Sequence, residues 1–319
     1  MEEVFRSHIK GKTFSPGSFW KKKNLKFLNS IFNPKNMTSL VTRGWKIVRN
    51  EGIKKFLKKG LSYSLTCSKM TCKRLKHGYY LKNWTEKRKN RELLEKARKE
   101  ANIKKKNPLV SVCIATYNRG RILVERTLPS VLNQTYQNFE IIIVGDHCTD
   151  ETERLLKDFD DERIKFYNLP KRGDYPENPY DRWLVAGVVP RNKCLELCSG
   201  DWIAPLDDDD EFTEDHIETL LNFAINGDYE MVYGVVEMEV EPGKWIHVGS
   251  YPPECGKICH LSVLYHSSLK FFKYDINSWK YGEPADWNLW RRMKEAGVRI
   301  GFINRVVGKH YLERTRLGV

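Results

Sequence analysis

Four short apolar segments, each followed by a polar loop, constrain the fold of this chain more than any other feature. They cover residues 109–116, 139–144, 163–169 and 201–206. Amphipathic stretches with helical spacing lie between them, so strands and helices alternate along this part of the chain. The alternation predicts an α/β fold, with a mostly parallel, Rossmann-like sheet, right-handed crossovers and flanking helices.

The fourth apolar segment ends in a run of acidic residues. Leu206 is followed by four consecutive aspartates, from Asp207 to Asp210, and then by Glu211. Like charges this close repel one another and need a positive partner. A divalent cation is the simplest partner because Mg²⁺ and Mn²⁺ prefer carboxylate oxygens, and a solvated acidic turn or helix start is the alternative. Open α/β sheets bind ligands at the carboxyl ends of their strands, which favours a binding site.

Charge divides the chain into two parts. Residues 1–107 contain 30 Lys and Arg against 7 Asp and Glu, whereas residues 108–319 contain 25 against 34. We therefore predict a basic, largely helical extension over residues 1–107 and a globular domain over residues 108–319. In residues 17–60, aromatic and aliphatic residues recur at helical spacing between lysines, a pattern typical of a helix at an anionic membrane surface.

Two other interpretations of the extension stay open. Nucleic acid would attract the same charge, but we find no nucleic-acid-binding motif and do not expect it as a partner. The extension could also be a helical appendage without a partner. Residues 83–106 are polar almost all round, with Glu and Lys or Arg at helical separations, which predicts an exposed linker helix.

The sequence also bears on location. It contains no stretch of 18 apolar residues, and its N-terminus lacks the apolar segment of a signal peptide. We therefore expect a cytoplasmic protein that is peripheral on the inner face of the membrane. No GxGxxG or GxxxxGK[ST] sequence follows a predicted strand, so a nucleotide would have to be held in another way.

Four motifs occur in register along the globular part. They read PLVSVCIATYNRG from residue 108, FEIIIVGDHCTDET from residue 139, PRNKCLELCSGDWIAPLDDDDEF from residue 190 and ADWNLWRRMKEAGVRI from residue 285. In order and spacing, residues 108–312 resemble family 2 glycosyltransferases of the GT-A fold. The resemblance implies a metal-dependent, inverting enzyme that transfers a sugar from a nucleotide-diphosphate donor.

The resemblance also implies roles for individual residues. Asp286 matches the catalytic base, although Ala285 replaces the Glu that usually precedes it, and a plain helix N-cap is the alternative. Asp209 matches the metal-binding aspartate of the DXD motif, and His310 would add a late histidine ligand for Mn²⁺ or Mg²⁺, with a surface histidine as the alternative. Residues implied in nucleotide and donor binding are Thr116, Tyr117, Asn118, Arg119, Asp146, Arg191, Asn192, Asp207 and Asp208.

These expectations define one function and two rivals. The expected donor is linked to UDP in preference to dTDP or GDP, and the expected acceptor is a growing glycan or a lipid-linked saccharide. One rival is a catalytically silent binding module that its basic extension tethers to a membrane or to nucleic acid. The other is a metal-dependent phosphohydrolase or nucleotidyltransferase that uses the aspartate run.

Overall fold

The computed structural model describes residues 70–71 and 73–312. The amphipathic segment predicted in residues 17–60 lies outside the described residues. A nine-stranded mixed sheet forms the centre of the described chain. Its strands are β1 (Val110–Thr116), β2 (Phe139–Gly145), β3 (Ile164–Asn168), β4 (Trp202–Asp207), β5 (Glu211–Phe212), β6 (Met231–Glu241), β7 (Lys244–Val248), β8 (Val263–His266) and β9 (Ile300–His310).

The strand order is β3-β2-β1-β4-β8-β6-β9-β5, and β7 pairs with β6. The first four strands are the four predicted ones, each within one residue of its predicted bounds, and they pair in parallel. The other half is mixed, because β8 runs antiparallel to β4 and β6 while β6 runs parallel to β9. The predicted α/β class is confirmed.

Helices cover both faces of the sheet. Alternate residues of a strand point to opposite faces, so Val112 and Ile114 of β1 join one buried cluster while Cys113 joins the other. The helices are α1 (Tyr79–Glu100), α2 (Gly120–Ile122), α3 (Leu128–Leu132), α4 (Thr152–Lys157), α5 (Pro179–Val185), α6 (Val188–Leu197), α7 (His216–Gly227) and α8 (Ala285–Ala296), with a π-helical turn, Leu123–Thr127, between α2 and α3.

Helix α1 differs from the exposed linker helix that the sequence predicts over residues 83–106. Its Leu94 is 1% exposed, and its Arg98 donates to both carboxylate oxygens of buried Glu230, at 2.6 and 2.9 Å. Most side chains of the helix are exposed or half-buried, as predicted, but one face packs on the domain. Paired charges and one leucine make this contact, and neither produces an apolar stripe. The division of the chain at residue 107 stays a prediction.

None of the helices in residues 70–71 and 73–312 combines the length and the apolar character needed to cross a bilayer.

Candidate active site

The carboxyl ends of β1, β2 and β4 meet at one edge of the sheet. Because these strands are parallel neighbours, Ala115 of β1 pairs with Val144 on one side and with Asp207 on the other. The loop that follows β1 therefore lies beside the aspartate run. Thr116, at the end of β1, is 2% exposed, and its main-chain oxygen accepts the N–H of Asp146 at 2.8 Å.

Asp207 lies between two basic side chains. Its Oδ1 accepts a hydrogen bond from Nη2 of Arg191 at 2.6 Å and lies 3.2 Å from Nδ1 of His260. Burial raises the pKa of Asp207, but His260 and Arg191 outweigh it and hold that pKa well below its usual range. Asp207 is therefore a stable anion at neutral pH.

Arg119 bridges the next two aspartates. Its Nη1 lies 3.2 Å from Oδ1 of Asp208 and 2.7 Å from Oδ2 of Asp209. Arg126 adds a bond from its Nη1 to the main-chain oxygen of Asp209 at 3.0 Å. Burial raises the pKa of Asp208 to about 6, although Arg119 opposes the shift. Arginine thus supplies positive charge that the sequence alone attributes to a cation.

Asp210 is fully buried and pairs with the end of β9. It accepts from Nδ1 of His310 at 2.8 Å and from the N–H of Tyr311 at 3.0 Å. Burial raises the pKa of Asp210 to about 7. Burial lowers the pKa of His310, but Asp210 outweighs it and raises that pKa to about 9. Asp210 and His310 are thus bonded to each other beside Asp209, and the role of His310 as a metal ligand stays a prediction.

A second group of side chains surrounds Asp146, after β2. Asp146 is 3% exposed, and its Oδ1 accepts the N–H of Gly173 at 3.0 Å. The guanidinium carbon of Arg172 lies 3.7 Å from the ring centroid of Tyr117, and its Nε lies 3.9 Å from Oδ2 of Asp146. An acidic side chain, a guanidinium and an aromatic face thus stand together, which suits a flat polar ring.

Asn118 and Gly145 shape the loops of this group. Asn118 has a φ of 52° and accepts the N–H of Thr149 at 2.8 Å, which joins the loops after β1 and β2. A Cβ on Gly145 would lie 2.6 Å from Oδ1 of Asn168. Asn168 itself binds the main chain of Cys148 at 2.8 Å in both directions. A larger residue at position 145 would therefore require the Asn168 side chain to move.

The two residues of the predicted Arg191–Asn192 pair bind different partners. Arg191 reaches Asp207, whereas the side-chain amide of Asn192 binds both the N–H and the carbonyl of Tyr274, at 2.9 and 3.0 Å. Asn192 therefore holds Tyr274 in place, and its direct contact with a donor stays a prediction. Nε2 of His260 lies 2.9 Å from the Tyr274 hydroxyl, so Tyr274 in turn orients His260.

Asp286 lies in the first turn of α8 and is half-buried. Its Oδ1 accepts the N–H of Trp287 at 2.7 Å. Burial lowers the pKa of Arg191, but Asp207 and, more weakly, Asp286 raise it above its usual value. Asp286 is thus close enough to the pocket to act on the same guanidinium as Asp207.

The donor atoms of this site suit Mn²⁺ or Mg²⁺. Mg²⁺ is commonly bound by one or two carboxylates and completed by substrate phosphates. Asp209 offers a carboxylate, and His310 offers Nε2, since Asp210 holds its Nδ1 as in many metal-binding histidines. No three His, Cys, Asp or Glu side chains in residues 70–71 and 73–312 are gathered to hold a metal on their own. Asp209 and His310 would therefore fit a metal whose remaining ligands a diphosphate would supply.

Sequence reasoning missed several residues of the site. They are His260, Tyr274, Arg126 and Arg172. None of them stands in a motif, and each reaches the site from an element far away in sequence. Only the basic character of Arg126 and Arg172, close to predicted strand ends, offered a signal that could have found them.

The family model described as Glycosyl transferase family 2 matches residues 111–178 and 187–286, together more than half of the chain.

The chain belongs to glycosyl transferase family 2.

Curated relatives agree with this membership. The GalNAc(5)-diNAcBac-PP-undecaprenol beta-1,3-glucosyltransferase of Campylobacter jejuni is 32% identical over 136 residues, which cover 42% of this family 2 chain and 40% of that protein. UDP-Glc:alpha-D-GlcNAc-diphosphoundecaprenol beta-1,3-glucosyltransferase WfgD of Escherichia coli is 28% identical over 208 residues, which cover 61% of this chain and 75% of that protein. The chain spans 58% of the putative teichuronic acid biosynthesis glycosyltransferase TuaG of Bacillus subtilis, at 31% identity over 165 residues and 51% of its own length.

A solved structure agrees with the fold. The crystal structure of S. aureus TarS 1–349 superposes with a TM-score of 0.50 at 16% identity, and the match covers 63% of this chain and 60% of that one. At this identity the likeness concerns the fold alone. The family 2 chain therefore shares its α/β architecture with S. aureus TarS.

Proposed function

We propose that this family 2 glycosyltransferase moves a sugar from a nucleotide-diphosphate donor to a saccharide acceptor, with inversion at the anomeric carbon. UDP is the favoured nucleotide, and the acceptor is a lipid-linked saccharide or a growing glycan. One observation supports this most: Asp207 accepts a hydrogen bond from Arg191 at 2.6 Å, and the charge of Asp286 also raises the pKa of Arg191, so the carboxylates proposed for the donor and the acceptor lie near the same guanidinium.

The donor would lie along the strand edge. In this proposal Asp146 accepts a hydrogen bond from the base, while Tyr117 and Arg172 cover its face. Thr116, Asn118 and Arg119 line the nucleotide pocket. Arg191, with Asn192 behind it, and Asp207 and Asp208 hold the ribose and the sugar.

Asp286 is proposed as the general base. The acceptor hydroxyl attacks the anomeric carbon opposite the leaving diphosphate, and Asp286 takes the hydroxyl proton as the bond to the diphosphate oxygen breaks. Attack from the opposite side inverts the anomeric configuration. A positioned base contributes about 10² to 10⁴ in rate. The N–H of Trp287 holds one carboxylate oxygen, which leaves the other for the acceptor.

Asp209 and His310 are the residues that would hold Mn²⁺ or Mg²⁺. When bound, such an ion would neutralise charge that grows on the leaving diphosphate. Arg119, Arg126 and Arg191 supply positive charge at the same edge in this structure. We infer that the chain's own arginines share the stabilisation of the diphosphate.

The nature of the acceptor is inferred from the relatives. The names of two of these relatives contain an undecaprenol-linked saccharide. A polyprenol-linked acceptor lies at a membrane, which agrees with the basic extension proposed over residues 1–107. We therefore propose a peripheral enzyme whose extension meets an anionic membrane surface and whose catalytic domain covers residues 108–319.

A thermal-shift screen tests the donor. UDP-, dTDP- and GDP-sugars are compared with and without Mn²⁺, on the wild type and on Asp209→Asn. A donor at a hundredfold excess over its Kd should raise the free energy of unfolding by about 2.7 kcal/mol. We expect a UDP-sugar to do so with Mn²⁺ and the variant to lose the effect of Mn²⁺. Stabilisation by no nucleotide sugar would contradict the proposal.

Product analysis separates the rival functions. Incubation with the stabilising donor and a diphospholipid-linked saccharide should yield nucleotide diphosphate only when the acceptor is present. Release at the same rate without an acceptor would favour a phosphohydrolase. Donor binding without any product, in the presence of a panel of acceptors, would favour a silent binding module.

A further inference from the structure

Four large apolar side chains are exposed within ten residues of sequence around the start of α1. Leu75 is 62% exposed, Tyr80 53%, Leu81 70% and Trp84 65%. We call these four residues the Trp84 patch. Isolated exposed apolar residues are ordinary on protein surfaces, but a contiguous group marks an interaction surface. In residues 70–71 and 73–312, Tyr251 is the one other large apolar side chain that exceeds half exposure.

Basic side chains surround the Trp84 patch. Residues 73–91 contain eight Lys and Arg and a single Glu. Lys76, Arg88, Lys89 and Arg91 among them are exposed. Leu81, Trp84 and Arg88 follow one another at intervals of three and four, so they stand on one face of the helix. The outer face of this half of α1 is thus apolar and aromatic with a basic border.

The inner face of the same helix is already occupied. The Tyr79 hydroxyl donates to Glu283 at 3.0 Å, Nζ of Lys82 lies 2.8 Å from Oδ2 of Asp275, and Oδ1 of Asn83 accepts from Arg291 at 2.7 Å. These bonds fix the rotation of α1 about its axis. The Trp84 patch therefore cannot turn inward without breaking them, and it must face solvent or a partner.

The contacts of α1 also relate the patch to the catalytic pocket. Arg74 and Tyr79 both donate to Glu283, at 3.3 and 3.0 Å, and Glu283 lies just before the helix that carries Asp286. Lys73 binds Asp181 of α5 at 2.8 Å. Helix α5 exposes two more aromatic side chains, Tyr180 at 49% and Trp183 at 41%. The segment that carries the patch is thus bonded to α5 and to Glu283, which stands three residues before Asp286 in the sequence.

We propose that the Trp84 patch lies against an anionic lipid bilayer and turns the Asp286 side of the pocket toward it. Trp and Tyr with a border of Lys and Arg form the composition that proteins place at the level of lipid headgroups. A protein partner would not require the basic border, which complements acidic headgroups instead. The patch lies within the basic extension over residues 1–107, so this inference rests on the proposed function, and it adds which residues meet the bilayer and how they orient the domain.

Vesicle co-sedimentation of the full chain tests the proposal. The vesicles are an equal mixture of phosphatidylglycerol and phosphatidylcholine, with phosphatidylcholine alone for comparison. The variant is the double substitution Leu81→Gln/Trp84→Gln. The matched control is Val240→Gln/Ile246→Gln, which removes two exposed apolar side chains, 36% and 44% exposed, from the β6–β7 hairpin. We expect the variant to lower partitioning onto the acidic vesicles by about tenfold or more and the control to leave it unchanged.

A second variant, Arg88→Gln/Lys89→Gln, tests the basic border. It should weaken binding to acidic vesicles and have little effect on the weak binding to phosphatidylcholine. Equal binding by the wild type and the Leu81→Gln/Trp84→Gln variant would overturn the proposal, as would a wild type that does not bind acidic vesicles. A variant that loses a dimer by light scattering while it binds vesicles normally would also overturn it and identify a second copy as the occupant.

A parallel assay keeps this proposal separate from the proposed function. Transfer to a short saccharide acceptor without lipid, in the absence of vesicles, should be the same in the wild type and in the Leu81→Gln/Trp84→Gln variant. Failure of transfer in both proteins would count against the proposed function and leave the vesicle result intact. Loss of transfer in the variant alone would overturn the assignment of the patch to membrane binding.

Discussion

Nδ1 of His260 lies 3.2 Å from Oδ1 of Asp207, although the two residues are far apart in sequence. His260 is 4% exposed, and the Tyr274 hydroxyl holds its other ring nitrogen at 2.9 Å. The ring therefore has little freedom to leave Asp207. We infer that His260 is a positioning residue, which keeps Asp207 oriented toward the donor.

His260→Phe should raise the KM for the donor about tenfold or more and lower kcat less, because Asp207 loses one of two basic neighbours in a buried site. Steady-state kinetics over a range of donor concentrations measures this split. His260→Gln keeps an N–H donor and should recover part of the loss. His216→Phe is the control, since His216 is equally buried but binds the Val307 carbonyl. An unchanged donor KM in His260→Phe would show that His260 does not position Asp207 for the donor.

Asp286→Asn should lower kcat by about 10² to 10⁴ and leave the donor affinity close to that of the wild type, because the base acts on the acceptor proton. Single-turnover transfer rates and a donor titration measure the two effects. Asp158→Asn, which changes a carboxylate that is exposed beyond α4, should leave both unchanged. A variant with the kcat of the wild type would eliminate Asp286 as the base.

Removal of metal should lower transfer by about 10²-fold or more, because charge on the leaving diphosphate would lose its neutralising ion. The measurement compares rates in EDTA with rates after Mn²⁺ is added back. Asp209→Asn should need a higher Mn²⁺ concentration for half-maximal rate, whereas Asp158→Asn should behave as the wild type. Full activity in EDTA would show that the arginines are sufficient.

Glu140→Gln should lower the free energy of unfolding by about 1 to 3 kcal/mol at pH 7, because Glu140 is buried and its charge accepts several hydrogen bonds. Burial raises the pKa of Glu140, but Lys165, Ser111 and Ser199 outweigh it and lower the pKa from 4.5 to about 2. Because the pKa is lower in the folded state, the ionised Glu140 stabilises the protein fully above about pH 4.5. This stabilisation is lost as the pH falls toward 2.

Urea unfolding at pH 7 and pH 3 measures this effect. The difference between the wild type and Glu140→Gln should shrink at the lower pH. Glu153→Gln is the control, because Glu153 makes only an exposed pair with Lys157 and should change stability by less than about 0.5 kcal/mol. A difference that is the same at both pH values would refute the charge-based explanation.

Leu94→Ala should lower the free energy of unfolding by about 2 to 5 kcal/mol, since it empties a site that is 1% exposed between α1 and the domain. Leu81→Ala on the outer face of the same helix should change it by about 0.5 kcal/mol at most. Denaturant unfolding measures both.

A chain that begins at residue 69 should also be more stable than one that begins at residue 108, and equal stability would favour the predicted boundary at residue 107.

Much of the fold could be predicted from local pattern. The four parallel strands lie within one residue of their predicted bounds because each is a short apolar run closed by polar residues, and that signal does not depend on distant contacts. The position of Asp207 at a strand end followed directly from the same pattern. Asp286 and the other motif residues were assigned because whole motifs stand in register, and their roles stay predictions.

The sequence by itself determined the fold class, the family and the edge of the sheet where the acidic residues gather. Only the tertiary structure decided which side chain pairs with each aspartate: Arg191 and His260 with Asp207, Arg119 with Asp208 and Asp209, and His310 with Asp210. It also decided that α1 packs on the domain. The reason is physical, because charge pairing depends on distances between residues that are remote in sequence, and a pair of opposite charges leaves no periodic apolar signal along the chain.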